Sequence, residues 1–304
     1  MKTIDGLAIA RNIRRQVKEH IATLDEKPRF AVIQVGENEA SSVYVASKLK
    51  ACRAAGIETV SADLDAKVSQ ESLIGLIQGF NASPDFHGML IQLPVPEHIS
   101  VEAIIEAVDP AKDVDGFHPL NVGRLTVRSS VPYLHPCTPW GIVHMLDTVL
   151  PKREGVSGLR GKKVVVLGQS HIVGRPLSVM LQNEGATVTM CDIHTRDLHA
   201  EVAGADVLVS ATGVKRLVDG ALVDAVGRDD LIVVDAGIAR DDDGSLCGDV
   251  DRAVHERLAA VTPVPGGVGP VTVAFLLRNI LKAYCIQKGL PLPAYVSING
   301  EPLA

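Results

Sequence analysis

Tyr44 and Lys48 stand four residues apart in "ASSVYVASKLK", a spacing that puts both side chains on one face of a helix. An amine and a phenol are proton-transfer groups, although a lysine on a helix is ordinarily a solvated surface residue. Gln92, in "IQLPVP", falls at the C-terminal end of a strand, the edge at which open α/β sheets bind ligands. In "DPAKDVDGFHPLNVGRL", Asp113 and Asp115 precede Gly116, and by themselves they read as an Asp-rich turn. "VVVLGQSHIVGRP" (164–176) is an apolar run that stops at Gly168 and resumes past Gly174. A strand, a glycine loop and a helix N-terminus in that order can cradle a phosphate. The spacing is G-x-S-x-x-x-G-x-P, not G-x-G-x-x-G, and a tight βα turn would explain it alone. The strand-like "ATVTMCD" beyond the helix completes the pattern of a dinucleotide-binding βαβ unit. "TPVPGGVGP" (262–270) mixes fixed and permissive residues in one loop of defined shape, suited to ligand approach or to a hinge.

These residues need elements to hold them. Asp5 can cap a helix with Ile9, Ile13, Val17 and Ile21 on one side. A strand at 30–35, a helix from Ser41 to Gly56, a strand in "IETVSADL", a helix opened by Ser69 and a strand at 88–93 follow. A helix near 100–108 leads into an irregular stretch to about 137. Thr138 and Pro139 read as N-cap and first position of a helix to about Leu150. After a glycine-rich, charged loop (151–163), alternation restarts: strand 163–168, helix 173–184, and strands 186–191, 206–210 and 231–235. "DDDG" (241–244) reads as a hairpin turn, and a long helix covers about 270–288. Strand–helix alternation implies an α/β fold with parallel sheets.

Composition narrows the function. At 304 residues, two domains are expected. A net charge of −6, scattered basic residues and 3% aromatics argue against nucleic acid as a partner. The five cysteines form no CxxC pair, so metal and disulfide frameworks are not expected, and reduced thiols in a cytoplasmic protein fit best. Charges interrupt the N-terminal apolar stretch, which excludes a signal peptide. No stretch of about 18 apolar residues is evident, so no membrane-spanning helix is expected.

In this order the motifs resemble the bifunctional methylenetetrahydrofolate dehydrogenase/methenyltetrahydrofolate cyclohydrolase family of one-carbon metabolism. The resemblance runs through "ASSVYVASKLK", "QLPVP", "KDVDGFHPLNVGRL", "PCTPWG", "IVGRPLS", "ATVTMCD", "GDV" and "TPVPGGVGP" and covers nearly the whole chain. It implies two α/β domains with a cleft between them: residues 1–138 with 271–304 for folate, and a Rossmann-like domain at 139–270 for NAD(P). It also implies a homodimer with tetrahydrofolate derivatives as substrates and no metal.

Carried over by position, the resemblance makes Lys48 the essential lysine. Tyr44 lines the folate site, Gln92 hydrogen-bonds the lysine, and Asp115 anchors the pterin ring. Pro265, Gly266 and Gly267 lie where folate meets nicotinamide. Gly168, Gln169, Ser170, Ile172, Val173, Gly174, Asp192, Gly213 and Ile238 fall on the cofactor site. The reaction implied is oxidation of 5,10-methylenetetrahydrofolate with NAD(P), then hydrolysis of the methenyl cation to 10-formyltetrahydrofolate. Another two-domain dehydrogenase, similar to shikimate dehydrogenase, and a non-enzymatic folate-binding relative are the alternatives. One departure stands out. Most family members use NADP, commonly with an arginine where Gln169 stands and "CHS" where this chain has "CDI". Neither Asp192 nor Ile193 suits a 2′-phosphate, whereas the acid suits the two ribose hydroxyls of NAD, unless His171, Arg175, His194 or Arg196 reaches that phosphate.

Overall fold

The computed structural model describes residues 1–36, 39–150 and 155–296. The chain divides into two compact units, one of Arg11–Cys137 with Val273–Ala304, the other of Met1–Ala10 with Thr138–Thr272. The first ten residues therefore lie with the second unit, whereas the sequence places them in the first. The cause is β1 (Lys2–Thr3), which pairs in parallel with β11 (Ala260–Val261) and buries Ile4.

The first unit is built on a three-stranded parallel sheet in the order β3-β2-β4. Its strands are β2 (Arg29–Val35), β3 (Glu58–Leu64) and β4 (Gly88–Ile91). The helices α1 (Gly6–Ile21), α2 (Glu39–Ala54), α3 (Gln70–Ala82), α4 (Val101–Ala107) and α5 (Pro119–Thr126) alternate with or follow the strands. β2 is central and buried from Phe30 onward, an apolar run broken only by the buried Gln34. Ser69 caps α3 by accepting from the Ser72 N–H at 3.2 Å. The stretch expected to be irregular holds α5, with Pro119 at its first position and the His118 ring accepting from the Leu120 N–H.

The second unit carries a six-stranded parallel sheet in the order β1-β11-β8-β7-β5-β6. Here β5 is Lys163–Leu167, β6 Thr187–Cys191, β7 Val207–Ser210 and β8 Ile232–Asp235. Its helices are α6 (Cys137–Asp147), α7 (Gly174–Asn183), α8 (Leu198–Val202) and α9 (Gly220–Val226). A two-stranded antiparallel ribbon, β9 (Ala239–Arg240) with β10 (Leu246–Cys247), flanks the predicted "DDDG" turn. Thr138 is not an N-cap: α6 starts at Cys137, and the Thr138 hydroxyl bonds that of Thr272 at 2.9 Å. Of the loop predicted at 151–163, residues 151–154 lie outside the described residues.

The last helix, α10 (Val268–Lys288), is long and apolar enough by length and composition to cross a membrane, contrary to the reading of the sequence. Most of it is buried within the protein. Arg278, Asn279 and Lys282 interrupt the apolar run and are themselves buried. A core helix is apolar all round for the same reason a spanning one is.

Candidate active site

α2 packs through Val45, Leu49 and Cys52, and Lys48 lies in the same buried stripe at 5% exposure. A lysine there cannot reach bulk water freely and needs partners. Its Nζ donates to Gln92 Oε1 at 3.1 Å and stands 4.5 Å from the centre of the Tyr44 ring. Gln92 follows β4 and is fixed at both ends. Its backbone N–H donates to the Ile33 carbonyl at 2.8 Å, and its Nε2 donates to the Leu93 carbonyl at 2.7 Å. The amide is thereby oriented with its acceptor toward the lysine. Burial, and then the nearby Asp115 carboxylate, push the Tyr44 hydroxyl up, so it stays a neutral phenol.

Asp115 is held by a turn that Asp113 organises. The Asp113 carboxylate accepts from the N–H groups of Gly116 (3.1 Å) and His118 (2.8 Å) and from Asn121 Nδ2 (3.0 Å). Gly116 sits at φ +75°, where a Cβ would lie 2.3 Å from the His135 carbonyl carbon. From below, Asn279 Nδ2 donates to the carbonyls of Val114 (2.8 Å) and His135 (2.7 Å). Burial lifts the Asp115 carboxyl to about 6, against the pull of Lys48, and Asp113 adds to the rise. The hollow beside it is lined by Leu93, Ile104, Ile105, Val108 and Phe117. The Asp113 and Asp115 carboxylates both border this hollow, and with Asp113 spent on its own turn, Asp115 is the one that could accept from a heterocycle offering N–H donors.

The other predicted residues lie in the second unit. Gly168 ends β5 at φ +102°, its N–H donating to the Cys191 carbonyl at 2.9 Å. A Cβ at Gly168 would stand 2.5 Å from the Ala211 oxygen, and one at Gly174 1.9 Å from the Gly168 oxygen. Backbone thus packs closely on backbone at both glycines, and no side chain caps the N-terminus of α7. Ser170 Oγ accepts from the Val173 N–H, and Arg175 Nε donates to the Gln169 carbonyl at 3.0 Å. Asp192 follows β6 with its carboxylate exposed; Oδ1 accepts from the His194 N–H at 2.9 Å. Ile193 is 91% exposed, and Ile172 and Ile238 also present apolar surface. Gly213 sits at φ +72°. These residues fit a dinucleotide: a close-packed glycine turn at a helix N-terminus for the pyrophosphate, apolar surface for the rings and an acid at the second strand end. Pro265, Gly266 and Gly267 lie in this unit too, as the loop that opens α10, with Gly266 at φ +104°.

The structure therefore gathers Tyr44, Lys48, Gln92 and Asp115 in one unit and the residues expected at the cofactor, with the Pro265–Gly267 loop, in the other. Sequence reasoning missed Asn121 and Asn279, which fix the Asp115 turn. It saw Asp113 only as turn composition. The one available signal was an asparagine amid the apolar positions of the last helix, a residue that is rarely buried without a task.

Residues 4–115 match the family model for the tetrahydrofolate dehydrogenase/cyclohydrolase catalytic domain, and residues 136–288 that for the NAD(P)-binding domain. The bifunctional protein FolD of Bordetella avium (strain 197N) is 46% identical over 286 residues, covering 93% of this chain and 96% of its own. The crystal structure of the Campylobacter jejuni bifunctional FolD enzyme superposes with a TM-score of 0.87 at 40% identity, covering 95% of this chain and 99% of that one. The Trypanosoma brucei methylenetetrahydrofolate dehydrogenase-cyclohydrolase, solved with NADP and an inhibitor, gives a TM-score of 0.84 at 36% identity, covering 92% and 96%. The shikimate dehydrogenase-like and non-enzymatic alternatives are not favoured by these matches.

Proposed function

Because the chain belongs to the tetrahydrofolate dehydrogenase/cyclohydrolase family, and so is a bifunctional enzyme of one-carbon metabolism, we propose how its residues divide the two reactions. It oxidises 5,10-methylenetetrahydrofolate to the 5,10-methenyl form with NAD(P) and hydrolyses that to 10-formyltetrahydrofolate. The observation that carries the division is the buried Lys48, its Nζ on Gln92 Oε1 at 3.1 Å.

In the oxidation, loss of hydride from the methylene bridge is driven by the folate nitrogen lone pair, so no strong base is required. The nicotinamide, when bound, supplies the hydride acceptor. This chain contributes positioning: the Gly168–Gly174 turn and the Ile238 and Pro265–Gly267 loops hold one reactant, and Asp115 and Tyr44 the other. In the hydrolysis, the oxygen of water bonds to the methenyl carbon, Lys48 in its free-amine form takes up the water proton, and a proton returns to the folate nitrogen as the carbon–nitrogen bond breaks. Gln92 fixes the direction in which the lysine acts. Asp115 accepts from the pterin N–H and amino groups.

Within the NAD(P) class we read a preference for NAD. Its support is the exposed Asp192 carboxylate after β6 and the apolar Ile193 beside it, where a 2′-phosphate would need a cation or hydroxyl. We further read the enzyme as a cytoplasmic homodimer, without nucleic-acid or membrane partners. Two assays test the division: methenyltetrahydrofolate formation with each nicotinamide cofactor, and its hydrolysis with none. Hydrolysis without cofactor is expected; strict dependence of hydrolysis on a bound dinucleotide would defeat the separation of roles.

A further inference from the structure

Two buried aspartates stand behind the turns that carry Gly213 and Ile238, and the chemistry above leaves them without a task. Asp235 closes β8 at 3% exposure, and Asp249 follows β10 at 0%. Asp235 Oδ1 accepts from the N–H groups of Gly237 and Asp249, each at 3.0 Å, and Oδ2 accepts from the Val250 N–H at 2.9 Å. Asp249 Oδ2 accepts from Ser210 Oγ (2.7 Å), the Thr212 N–H (2.8 Å) and Thr212 Oγ1 (2.8 Å). Thr212 Oγ1 in turn accepts from the Val214 N–H at 3.1 Å.

The fit is reciprocal. A Cβ on Gly237, two residues after Asp235, would lie 1.9 Å from Asp249 Oδ1. A Cβ on Gly248, one residue before Asp249, would lie 2.0 Å from Asp235 Oδ2. Each carboxylate fills the space a side chain would need on the glycine beside the other. Asp249 Oδ1 has no hydrogen-bond partner and rests against that glycine. Holding a carboxylate out of water is costly unless its acceptors are used. All six N–H and O–H donors spent here belong to residues 210–212, 237 and 249–250, and four of them are backbone N–H groups, so the pair fixes the backbone after β7, β8 and β10.

We propose that Asp249 and Asp235 are positioning residues for the dehydrogenase step, locking the 211–214 and 236–238 turns into the shape that receives the dinucleotide. The proposal rests on the reading of those turns as part of the cofactor site. The full-length enzyme with NAD and NADP as probes tests it. Asp249→Ala should raise the KM for the cofactor by about tenfold or more, the loss expected when a charge-assisted set is removed. Hydrolysis of methenyltetrahydrofolate without cofactor should stay within about twofold of native. Asp249→Asn, which keeps one acceptor oxygen and the shape, should recover most of the loss. Gly237→Ala, which drives a methyl at Asp249 Oδ1, should reproduce it, and decides the matter if Asp249→Ala does not fold. Native cofactor KM in a folded Asp249→Ala or Gly237→Ala enzyme overturns the proposal. Gly174→Val separates the two readings: if it keeps native affinity for both cofactors, the reading of the cofactor site fails. If it loses affinity while Asp249→Ala does not, only the positioning role fails.

Discussion

Lys48 Nζ stands over the face of the Tyr44 ring, 4.5 Å from its centre, one helical turn along α2. Among the described residues, the Lys48 amine makes one hydrogen bond, to Gln92 Oε1. Lys48→Met fills the same volume among Val45, Leu49 and Cys52 without the amine. Hydrolysis of methenyltetrahydrofolate should be abolished and substantial hydride transfer kept. Tyr44→Phe, which preserves the ring face, should cost hydrolysis less than Tyr44→Ala. Unchanged hydrolysis in Lys48→Met, measured by loss of the methenyl absorbance, would remove the lysine from the mechanism.

The proposed role of Asp115 is binding. Asp115→Ala removes a charge-assisted, desolvated acceptor worth roughly 1.5–3 kcal/mol, so folate affinity should fall by one to two decades and both activities with it. A variant that lost one activity and kept its folate affinity would contradict this role.

The same residue gives a pH dependence. Its carboxyl is held at about 6, above the ordinary carboxylate value, so the folded protein binds this proton more tightly than the unfolded chain. Ionisation therefore costs stability as pH rises from the ordinary value through about 6, while folate binding, which needs the carboxylate, weakens as pH falls below about 6. Lys48 opposes the rise, so Lys48→Met should move the midpoint for folate binding upward. A midpoint that moves downward in titrations of folate Kd against pH would show that the two groups are not coupled in this sense.

Cofactor choice turns on three positions. A 2′-phosphate carries about −1.5 to −2 charges, and at about 5 Å from Asp192 the repulsion is on the order of 2 kcal/mol even at a water-like dielectric. The native enzyme should favour NAD in kcat/KM by more than about tenfold on that figure. Gln169→Arg with Asp192→His and Ile193→Ser should shift the preference toward NADP. Native preference for NADP, or no shift in the triple variant, would refute the reading.

Lys112 is buried and donates to three carbonyls at the end of α3: Phe80 at 3.0 Å, Asn81 at 2.8 Å and Ser83 at 2.7 Å. Lys112→Met strands all three acceptors and should cost about 3 kcal/mol or more, read as a lower denaturation midpoint. Lys112→Arg should not restore it, because a planar fork cannot replace three donors on one atom. Native stability in Lys112→Met would show that water satisfies these carbonyls instead.

Local rules carried the sequence reading where they act alone. The apolar run into Gly168 and the alternation after it place β5, α7 and β6 within a residue or two. Ser69 announced α3 by its own hydroxyl. Lys48 was read from its motif, yet its burial follows from Val45, Leu49 and Cys52, which set the inward stripe of α2. What escaped was whatever depends on distant partners. β1 and β11 are two residues each and carry no periodicity; they exist because each completes the other. Asn279 acts on Val114 across 165 residues of chain, and Asp249 on Ser210 across 39. The membrane-length apolar run of α10 was overlooked because three polar residues break it, and those three are buried.

The unit that holds Lys48 is written in two pieces, Arg11–Cys137 and the residues from Val273 onward. Lys48, Gln92 and Asp115 leave the ribosome long before Asn279, whose amide pins the carbonyls of Val114 and His135. By then every strand of the six-stranded sheet has been synthesised. Domains form as units in the order their sequence permits. Every strand of the sheet in one unit thus precedes the last helix of the other, so a chain arrested before Val273 should hold the whole six-stranded sheet and lack the residue that pins the Asp115 turn.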